Sequence, residues 1–174
     1  MISINTSEIK SFADTLRAGD EVLLSGTIYT ARDAAHKRMV MLLDEGKALP
    51  FKINEAIIYY AGPTPAPEGK AIGSVGPTTS GRMDLWTPRL LDLGLVAMIG
   101  KGQRSKEVVE AIIRNHAPYF IAVGGAGALY AKHIVASKII AFDDLGCEAI
   151  RKLTIENFPV YVAVDCTGNS LFEH

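Results

Sequence analysis

From Lys70 onward, short apolar segments alternate regularly with helical patterns, and no other feature constrains the fold as strongly. Segments with the composition of strands occupy five ranges, namely 71–75, 95–99, 119–123, 138–142 and 160–164. Strands that alternate with helices are typical of α/β proteins. The run at 95–99 contains no polar residue, which suits a sheet buried on both faces. The pattern predicts a single α/β domain over residues 1–174, built from βα units, with ligands bound in turns at the carboxyl ends of the strands.

The opening part of the chain predicts two helices around one strand. Residues 5–18 carry an apolar face with helical spacing and end at a glycine, which predicts a helix. Residues 21–29 are rich in β-forming residues and predict a strand. The second helix is expected to run over 31–43 and to be opened by an approximate capping box of Thr30 and Asp33.

The segment 76–84, Gly-Pro-Thr-Thr-Ser-Gly-Arg-Met-Asp, gathers hydroxyls, flexible backbone and a guanidinium ahead of a helical pattern. Arg82 is expected in the first turn of that helix, where the positive end of the helix dipole disfavours a cation unless a negative group is present. Backbone N–H groups at a helix start, together with Arg82 and Thr78, form a receptor for a carboxylate or a phosphate. The alternative is an ordinary glycine-rich turn capped by Ser80.

Two other cations stand in comparable places. Arg32 is expected in the first turn of the second helix and is therefore a second candidate to face an anion. Lys101 follows a predicted strand and has a glycine on either side, which lets the backbone approach a ligand closely. A solvated lysine in a turn is the alternative for Lys101. His36 is a candidate acid or base near Arg32, although a single histidine on a helix is more often structural.

The other glycine-rich segments give only weak support for nucleotide binding. Prolines and glycines at 62–69 predict an irregular loop that could act as a hinge. The turn at 124–127 resembles part of a dinucleotide fingerprint, but Tyr130 stands where a third glycine is required. The segment 94–101 fails as a P-loop because Gly102 follows it where Ser or Thr should hold magnesium.

The composition argues against several classes of partner. Eighteen basic residues nearly balance 19 acidic ones, so charge favours neither nucleic acid nor a membrane surface. The sequence has no apolar run of membrane-spanning length and no secretory pattern at its start, which predicts a cytoplasmic protein. An apolar content of 48% hints at surface buried against another protein. Cys147 and Cys166 lack ligand spacing and predict reduced thiols, with a metal site shared with a histidine as the less favoured alternative.

Four separated motifs, at 30–37, 76–84, 100–102 and 124–126, together resemble the β subunit of two-subunit class I fumarases and L-tartrate dehydratases, which are iron–sulfur hydro-lyases. The resemblance covers about 3–169. It implies a swivelling β/β/α domain that pairs, in a hetero-oligomer, with a larger α subunit carrying a [4Fe-4S] cluster. A cluster with one open iron needs three protein ligands, and two separated cysteines cannot supply them, so no metal is expected on this chain. The chain alone is expected to be inactive.

The resemblance also implies roles for four residues. The substrate-clamping arginines of the family fall on Arg32 and Arg82, its lysine on Lys101 and its proposed base on Thr78. The implied substrate is a C4 dicarboxylate, whose carboxylates the three cations would orient by charge-assisted hydrogen bonds. A threonine hydroxyl is a weak base, so the alternative is that Thr78 only hydrogen-bonds the substrate.

The favoured function is that of a fumarate hydratase β subunit, which interconverts fumarate plus water and L-malate with its partner. An L-tartrate dehydratase β subunit is the nearest alternative. A nonenzymatic dicarboxylate- or nucleotide-binding module could use the same glycine turns. A mainly structural subunit is a further alternative, in which Arg32 and Lys101 would form salt bridges across the subunit interface.

Overall fold

The structure is a computed structural model that describes residues 1–172 of the 174-residue chain. Seven strands form one continuous sheet: β1 (Ile2–Asn5), β2 (Glu21–Thr30), β3 (Ile57–Tyr59), β4 (Ala97–Gly100), β5 (Tyr119–Ile121), β6 (Ile134–Ala141) and β7 (Ile150–Val164). Five α-helices connect them: α1 (Ile9–Phe12), α2 (Asp33–Asp44), α3 (Thr87–Asp92), α4 (Lys106–Asn115) and α5 (Gly127–Ala131). None of the helices within residues 1–172 combines the length and the apolar character needed to cross a bilayer.

The sheet closes on itself. Its strand order is β1-β2-β3-β4-β5-β7-β6, and β2 also pairs with β7, so that β2, β3, β4, β5 and β7 form a barrel. Neighbouring strands from β1 to β5 are parallel, whereas β7 runs antiparallel to β2, β5 and β6. The 15 residues of β7 make this closure possible because the strand is long enough to pair with three neighbours.

Two cores lie on opposite faces of the barrel wall. In β3, the side chains of Ile57 and Tyr59 belong to one core, and that of Ile58 belongs to the other. This alternation follows from the two-residue period of a strand. The second core also contains Met39 of α2 and Ile112 of α4, so it lies between the barrel and the helices. All four residues of β4 are buried, which confirms the prediction of a sheet covered on both faces.

The α/β class predicted from the sequence is confirmed, but some element boundaries are wrong. Residues 71–75 are irregular instead of forming a strand. The hydroxyl of Tyr59 donates to the carbonyl of Val75, so a tertiary bond replaces pairing in the sheet. The helix predicted at 5–18 is present as three successive short helical segments over 6–15, one of them α1, and β1 ends just before them at Asn5, where it pairs in parallel with β2. The last two predicted strands are longer than expected and are antiparallel.

The start of α2 differs from the predicted capping box. The helix begins at Asp33, with Arg32 in extended geometry at its N-cap. The hydroxyl of Thr30 instead accepts the backbone N–H of Arg151 at 3.1 Å, which ties β2 to β7. The N–H of Ala34 in the first turn is bonded by the Glu148 carboxylate at 3.1 Å. Tertiary contacts have therefore replaced the local cap, and the carboxylate of Asp33 is available for another partner.

Candidate anion-binding site at the carboxyl edge of the sheet

Four parallel strands end at the same edge of the barrel, and the candidate residues follow them. Arg32 is the second residue after the end of β2, and Lys101 is the first residue after the end of β4. The segment 76–84 crosses this edge: the N–H of Thr78 donates to the carbonyl of Tyr60, the residue after β3, at 2.7 Å. Thr79 forms an isolated parallel bridge with Lys101. The fold thus brings three separate motifs of the sequence to one edge of the sheet.

Asp33, which follows Arg32 in the chain, contacts Arg82. The Nε of Arg82 lies 2.9 Å from Oδ2 of Asp33, and its Nη2 lies 3.0 Å from Oδ1. Arg82 stands in a 3-10 turn (Ser80–Met83) ahead of α3 and not in the first turn of an α-helix, as the sequence had suggested. The negative group expected beside it is Asp33, which adjoins Arg32 in the chain. The two arginines therefore share one neighbourhood.

The side chain of Arg32 is confined by its surroundings. A Cβ atom at Gly62 would lie 3.0 Å from both Cδ and Nη1 of Arg32, so a larger residue there would crowd the Arg32 side chain. The Nε of Arg32 is buried and has no hydrogen-bond partner among residues 1–172. A buried N–H without an acceptor costs about 1–3 kcal/mol, so a bound anion that accepted it would gain that energy back. The Nε–H of Arg32 can therefore donate to an acceptor that is not among residues 1–172, such as a bound anion.

His36 holds the backbone of Arg32. Its N–H and its Nδ1 lie 2.9 and 2.8 Å from the carbonyl oxygen of Arg32. Burial lowers the pKa of His36 from 6.5 to about 4, so the ring is neutral at pH 7 and Nδ1 carries the proton that it donates. The ring packs against Tyr60 and Trp86, with centroid distances of 5.5 and 6.0 Å. A neutral, enclosed ring supports Arg32 but is poorly placed to act as an acid.

Thr78 is fixed by two hydrogen bonds to a single atom. Its N–H and its hydroxyl both donate to the carbonyl oxygen of Tyr60, at 2.7 and 2.9 Å. The residue is half-buried at the site edge. Because the hydroxyl proton points to the backbone, the lone pairs of Oγ1 are left to accept a hydrogen bond from a ligand.

Ser80 joins the segment 76–84 to the turn after β4. Its hydroxyl oxygen accepts the N–H of Lys101 at 3.0 Å and lies 2.7 Å from the hydroxyl of Tyr119, and its own N–H donates to the carbonyl of Lys101 at 2.9 Å. The sequence had offered Ser80 as a helix cap, and that prediction is wrong because Ser80 is committed to Lys101. A Cβ at Gly100 would overlap the Ser80 hydroxyl, so Gly100 permits this close approach.

The side chain of Lys101 is exposed and extends past Gly124. A Cβ at Gly124 would lie 3.5 Å from Cδ and 3.9 Å from Nζ of Lys101. Gly124 belongs to the glycine turn that follows β5. Within residues 1–172, Lys101 forms no ion pair with an acidic side chain. Its charge is therefore available to an anion at this edge.

A buried arginine that the sequence analysis did not single out supports the site from below. The side chain of Arg104 is fully buried, and its Nε lies 2.7 Å from Oδ1 of Asp84. Its Nη2 donates to the hydroxyls of Tyr60 and Thr87 at 3.1 and 3.0 Å. Asp84 pairs with Arg104 and also accepts the N–H of Ser105 at 2.7 Å. No local pattern in the sequence marks Arg104 as buried.

The described part of the chain does not fit an iron–sulfur cluster. Residues 1–172 contain no group of three or more His, Cys, Asp or Glu side chains that could hold a metal ion. Cys147 is exposed and Cys166 is buried, and both are free thiols. Burial raises the pKa of the Cys166 thiol to about 12, which disfavours the thiolate that a metal requires. The donor set on these residues therefore falls short of three thiolate ligands.

Comparison with known proteins identifies similar sequences. The model of the Fumarase C-terminus family matches residues 1–174. "Fumarate hydratase 2" of Leishmania major is 40% identical over 156 residues, which are 88% of this chain and 28% of that protein. "Fumarate hydratase class I, aerobic" of Escherichia coli is 41% identical over 152 residues, which are 86% of this chain and 28% of that protein.

A third relative has a different extent. A protein of Methanocaldococcus jannaschii, named as a candidate L(+)-tartrate dehydratase subunit beta, is 40% identical over 164 residues. The match covers 91% of this chain and 84% of that protein. The chain thus spans about 28% of the length of the two fumarate hydratases and most of the length of the named β subunit.

Proposed function

The chain belongs to the Fumarase C-terminus family, and from this membership we propose that it is the β subunit of a two-subunit hydro-lyase, most directly a fumarate hydratase. The reaction is the reversible addition of water to fumarate, which yields L-malate. The partner is a larger α subunit, and the two chains form a hetero-oligomer that is active only when complete. The likeness to a relative named as a β subunit, 84% of which the match covers, supports the subunit role.

One observation carries this proposal. Three separated motifs supply three cations to one edge of the barrel: Arg32 after β2, Arg82 in the crossing segment and Lys101 after β4. Arg32 has a buried N–H that lacks a partner within residues 1–172, and Lys101 forms no ion pair there. The protein as a whole carries a formal charge of only −1, so this concentration of positive charge is local. A dicarboxylate of four carbons has two negative ends for such a site.

Each cation has a distinct part in binding. Arginine presents planar pairs of N–H donors that match a carboxylate, so Arg32 and Arg82 orient the two ends of the substrate. Lys101 adds a compact charge on a flexible stem with three rotatable donors, so it can follow a substrate carboxylate without fixing its plane. Orientation of this kind lowers the activation barrier because the reacting atoms are held in position before the chemical step.

Thr78 is the proposed base. When malate is dehydrated, a proton leaves the carbon beside the one that carries the hydroxyl, and in hydration a proton returns to it. Oγ1 of Thr78 lies at the site edge with lone pairs available. To accept a proton, the hydroxyl must first give its own proton to a water molecule, which leaves an alkoxide that a neighbouring cation such as Lys101 or Arg82 would stabilise. Thr78 would then transfer the proton to and from the substrate carbon.

The cofactor belongs, in this proposal, to the partner. A [4Fe-4S] cluster held by the α subunit agrees with a donor set on residues 1–172 that is too small for one. The barrel would act as a swivelling domain that closes over the partner and brings its carboxyl edge to the substrate. The irregular loop at 62–69, which the sequence offered as a hinge, connects β3 to β4, and these strands pair directly in the barrel, so bending there would not move the barrel as a whole.

Reconstitution tests the proposal. The chain is mixed anaerobically with its cluster-bearing partner, and fumarate hydration is followed for the mixture and for each chain alone. We expect activity only in the mixture. Arg82→Lys should lower kcat/KM by roughly 100-fold because a lysine cannot make a planar two-point contact. The proposal would be contradicted by activity of the chain without the partner. It would also be contradicted by an intact complex that neither hydrates fumarate nor dehydrates L-tartrate.

L-tartrate dehydration is the second candidate function. It is favoured by the one relative among the three whose length matches this chain, since that protein is named as a tartrate dehydratase subunit. Tartrate carries one hydroxyl more than malate and keeps the same two carboxylates, so the same three cations would serve it. The ratio of kcat/KM for the two substrates in the reconstituted complex decides between them.

A further inference from the structure

We propose that Asp33 is a positioning residue that holds the guanidinium of Arg82 so that only one of its edges is offered to the substrate. The proposal rests on the proposed function, since it concerns how the same site recognises a carboxylate. It assigns a role to a residue that lies against the clamp without itself binding the substrate.

The contact between Asp33 and Arg82 is made at two points. Nε and Nη2 of Arg82 lie 2.9 and 3.0 Å from the two carboxylate oxygens. A two-point contact fixes the plane of the guanidinium as well as its position, because rotation about either bond would break the other. The two residues lie on different segments, 49 positions apart in the chain.

This contact uses only part of the donor capacity of Arg82. A guanidinium has five N–H groups, and the side-on contact through Nε and Nη2 takes two of them. The other edge, formed by Nη1 and the second N–H of Nη2, meets no acceptor within residues 1–172. The side chain of Arg82 is 51% exposed, so a ligand can reach that edge. A substrate carboxylate would bind there end-on.

The carboxylate of Asp33 can bind Arg82 because another residue accepts the exposed N–H in the first turn of α2. An acidic residue in the first turn of a helix commonly bonds or compensates the exposed N–H groups there. At α2, the carboxylate of Glu148 accepts the N–H of Ala34. Both oxygens of Asp33 are therefore directed at Arg82.

Simple electrostatics makes the opposite prediction, which gives the proposal a clear test. Asp33 is a negative charge beside a site for a dianion, so its removal should tighten substrate binding if charge alone mattered. If Asp33 positions Arg82, its removal should weaken binding instead. A purely structural role is a poor explanation because the pair is partly exposed and such pairs contribute little to stability.

The experiment measures steady-state kinetics of the reconstituted two-chain complex with Asp33→Asn and Asp33→Glu. We expect KM to rise and kcat/KM to fall by roughly 10- to 100-fold in both variants, since a misplaced clamp costs about that much. Asp33→Glu retains the charge but moves it by one methylene, so only a positioning role predicts that kcat/KM falls in this variant. In an Arg82→Lys background, Asp33→Asn should have little further effect because the contact is already lost.

The matched control is Asp92→Asn. Asp92 makes the same side-on contact with Arg114, at 3.0 and 3.1 Å, in a comparably exposed pair between α3 and α4. Its kinetics should stay within about twofold of wild type. An unchanged or lower KM for Asp33→Asn, or equal losses in the Asp92 control, would overturn the positioning role.

A second measurement separates this proposal from the proposed function. The Nε–H signal of Arg82 can be followed by NMR in the isolated chain, without any substrate or partner. It should be protected from exchange in the wild type and lose that protection in Asp33→Asn. An unprotected wild-type signal would refute the fixed guanidinium even if the complex is active. A protected signal in a complex that turns over neither substrate would refute the proposed function and leave the contact itself established.

Discussion

The hydroxyl of Thr78 donates to the carbonyl oxygen of Tyr60 at 2.9 Å, and the backbone N–H of Thr78 donates to the same atom at 2.7 Å. The proton of the hydroxyl is thus held by a neutral acceptor. An alkoxide at this position would face the carbonyl oxygen without a proton between them, which is repulsive. Formation of the base therefore requires Oγ1 to leave this bond or to be compensated by a cation.

This relationship leads to a prediction for the candidate base. In the reconstituted complex, Thr78→Ala should lower kcat by at least roughly 100-fold with KM nearly unchanged, because general base catalysis contributes about that much. Thr78→Ser keeps the hydroxyl and serves as the control, with a much smaller loss. A higher KM with only a modest loss of kcat in Thr78→Ala would mean that Thr78 is a substrate contact and not the base.

The buried ion pair between Arg104 and Asp84 should dominate the stability of the site edge. Asp84→Asn leaves the guanidinium of Arg104 buried without its counter-charge, and breaking a pair of this kind costs about 3–5 kcal/mol. Urea denaturation followed by circular dichroism measures the loss. The control is Asp44→Asn, which breaks an exposed pair with Arg89 and should cost less than about 1 kcal/mol. Similar costs for both variants would contradict the prediction.

Gly100→Ala should distort the contact between the segment 76–84 and the turn that follows β4. The added Cβ would overlap the Ser80 hydroxyl and lie 2.7 Å from the ring of Tyr60. Overpacking of this kind costs about 1–3 kcal/mol, and here it would also displace the group that anchors Lys101. We expect lower stability in urea denaturation and lower kcat/KM in the complex.

The matched control for Gly100→Ala lies in the same region. Gly81→Ala adds the same atom where the nearest neighbours are at 3.6 and 4.0 Å, so it should be tolerated in the denaturation assay. The double variant Ser80→Gly with Gly100→Ala removes the clash and should recover part of the lost stability. Equal stability of Gly81→Ala and Gly100→Ala would show that the close approach is not required.

His36 should make stability depend on pH in a defined window. In the folded protein, burial lowers its pKa from 6.5 to about 4. The unfolded chain therefore binds a proton first as the pH falls, so stability is complete above about pH 6.5 and declines toward pH 4. The total loss from this one group is roughly 3 kcal/mol.

Comparison with His36→Asn isolates this contribution. Asparagine keeps a side-chain N–H that can donate to the carbonyl of Arg32 but does not titrate. Denaturation free energies of the two proteins should therefore converge as the pH is lowered from 7 to 4.5, since only the wild type carries the penalty. A constant difference across this range would show that His36 is not buried in its neutral form.

The sequence located most of the candidate residues but not their supports. Arg32, Thr78, Arg82 and Lys101 stand beside glycines, turn residues and strand ends, all of which are local signals. Asp33 and Arg104 carry no such signal, because their partners lie 49 and 20 positions away in the chain. The alternative in which Ser80 caps a helix fails for the same reason, since a hydroxyl at a helix start caps the helix unless a tertiary partner competes for it.

The sequence by itself determined the α/β class, the buried strands and the motifs that meet at one edge, because hydrophobic periodicity and turn chemistry act over a few residues. Only the tertiary structure decided that β2 pairs with β7 to close a barrel and that Asp33 engages Arg82. It also decided that Arg104 is buried beneath the site. These features depend on distant segments that become neighbours only when the chain folds, and their energies come from geometry and burial that composition does not record.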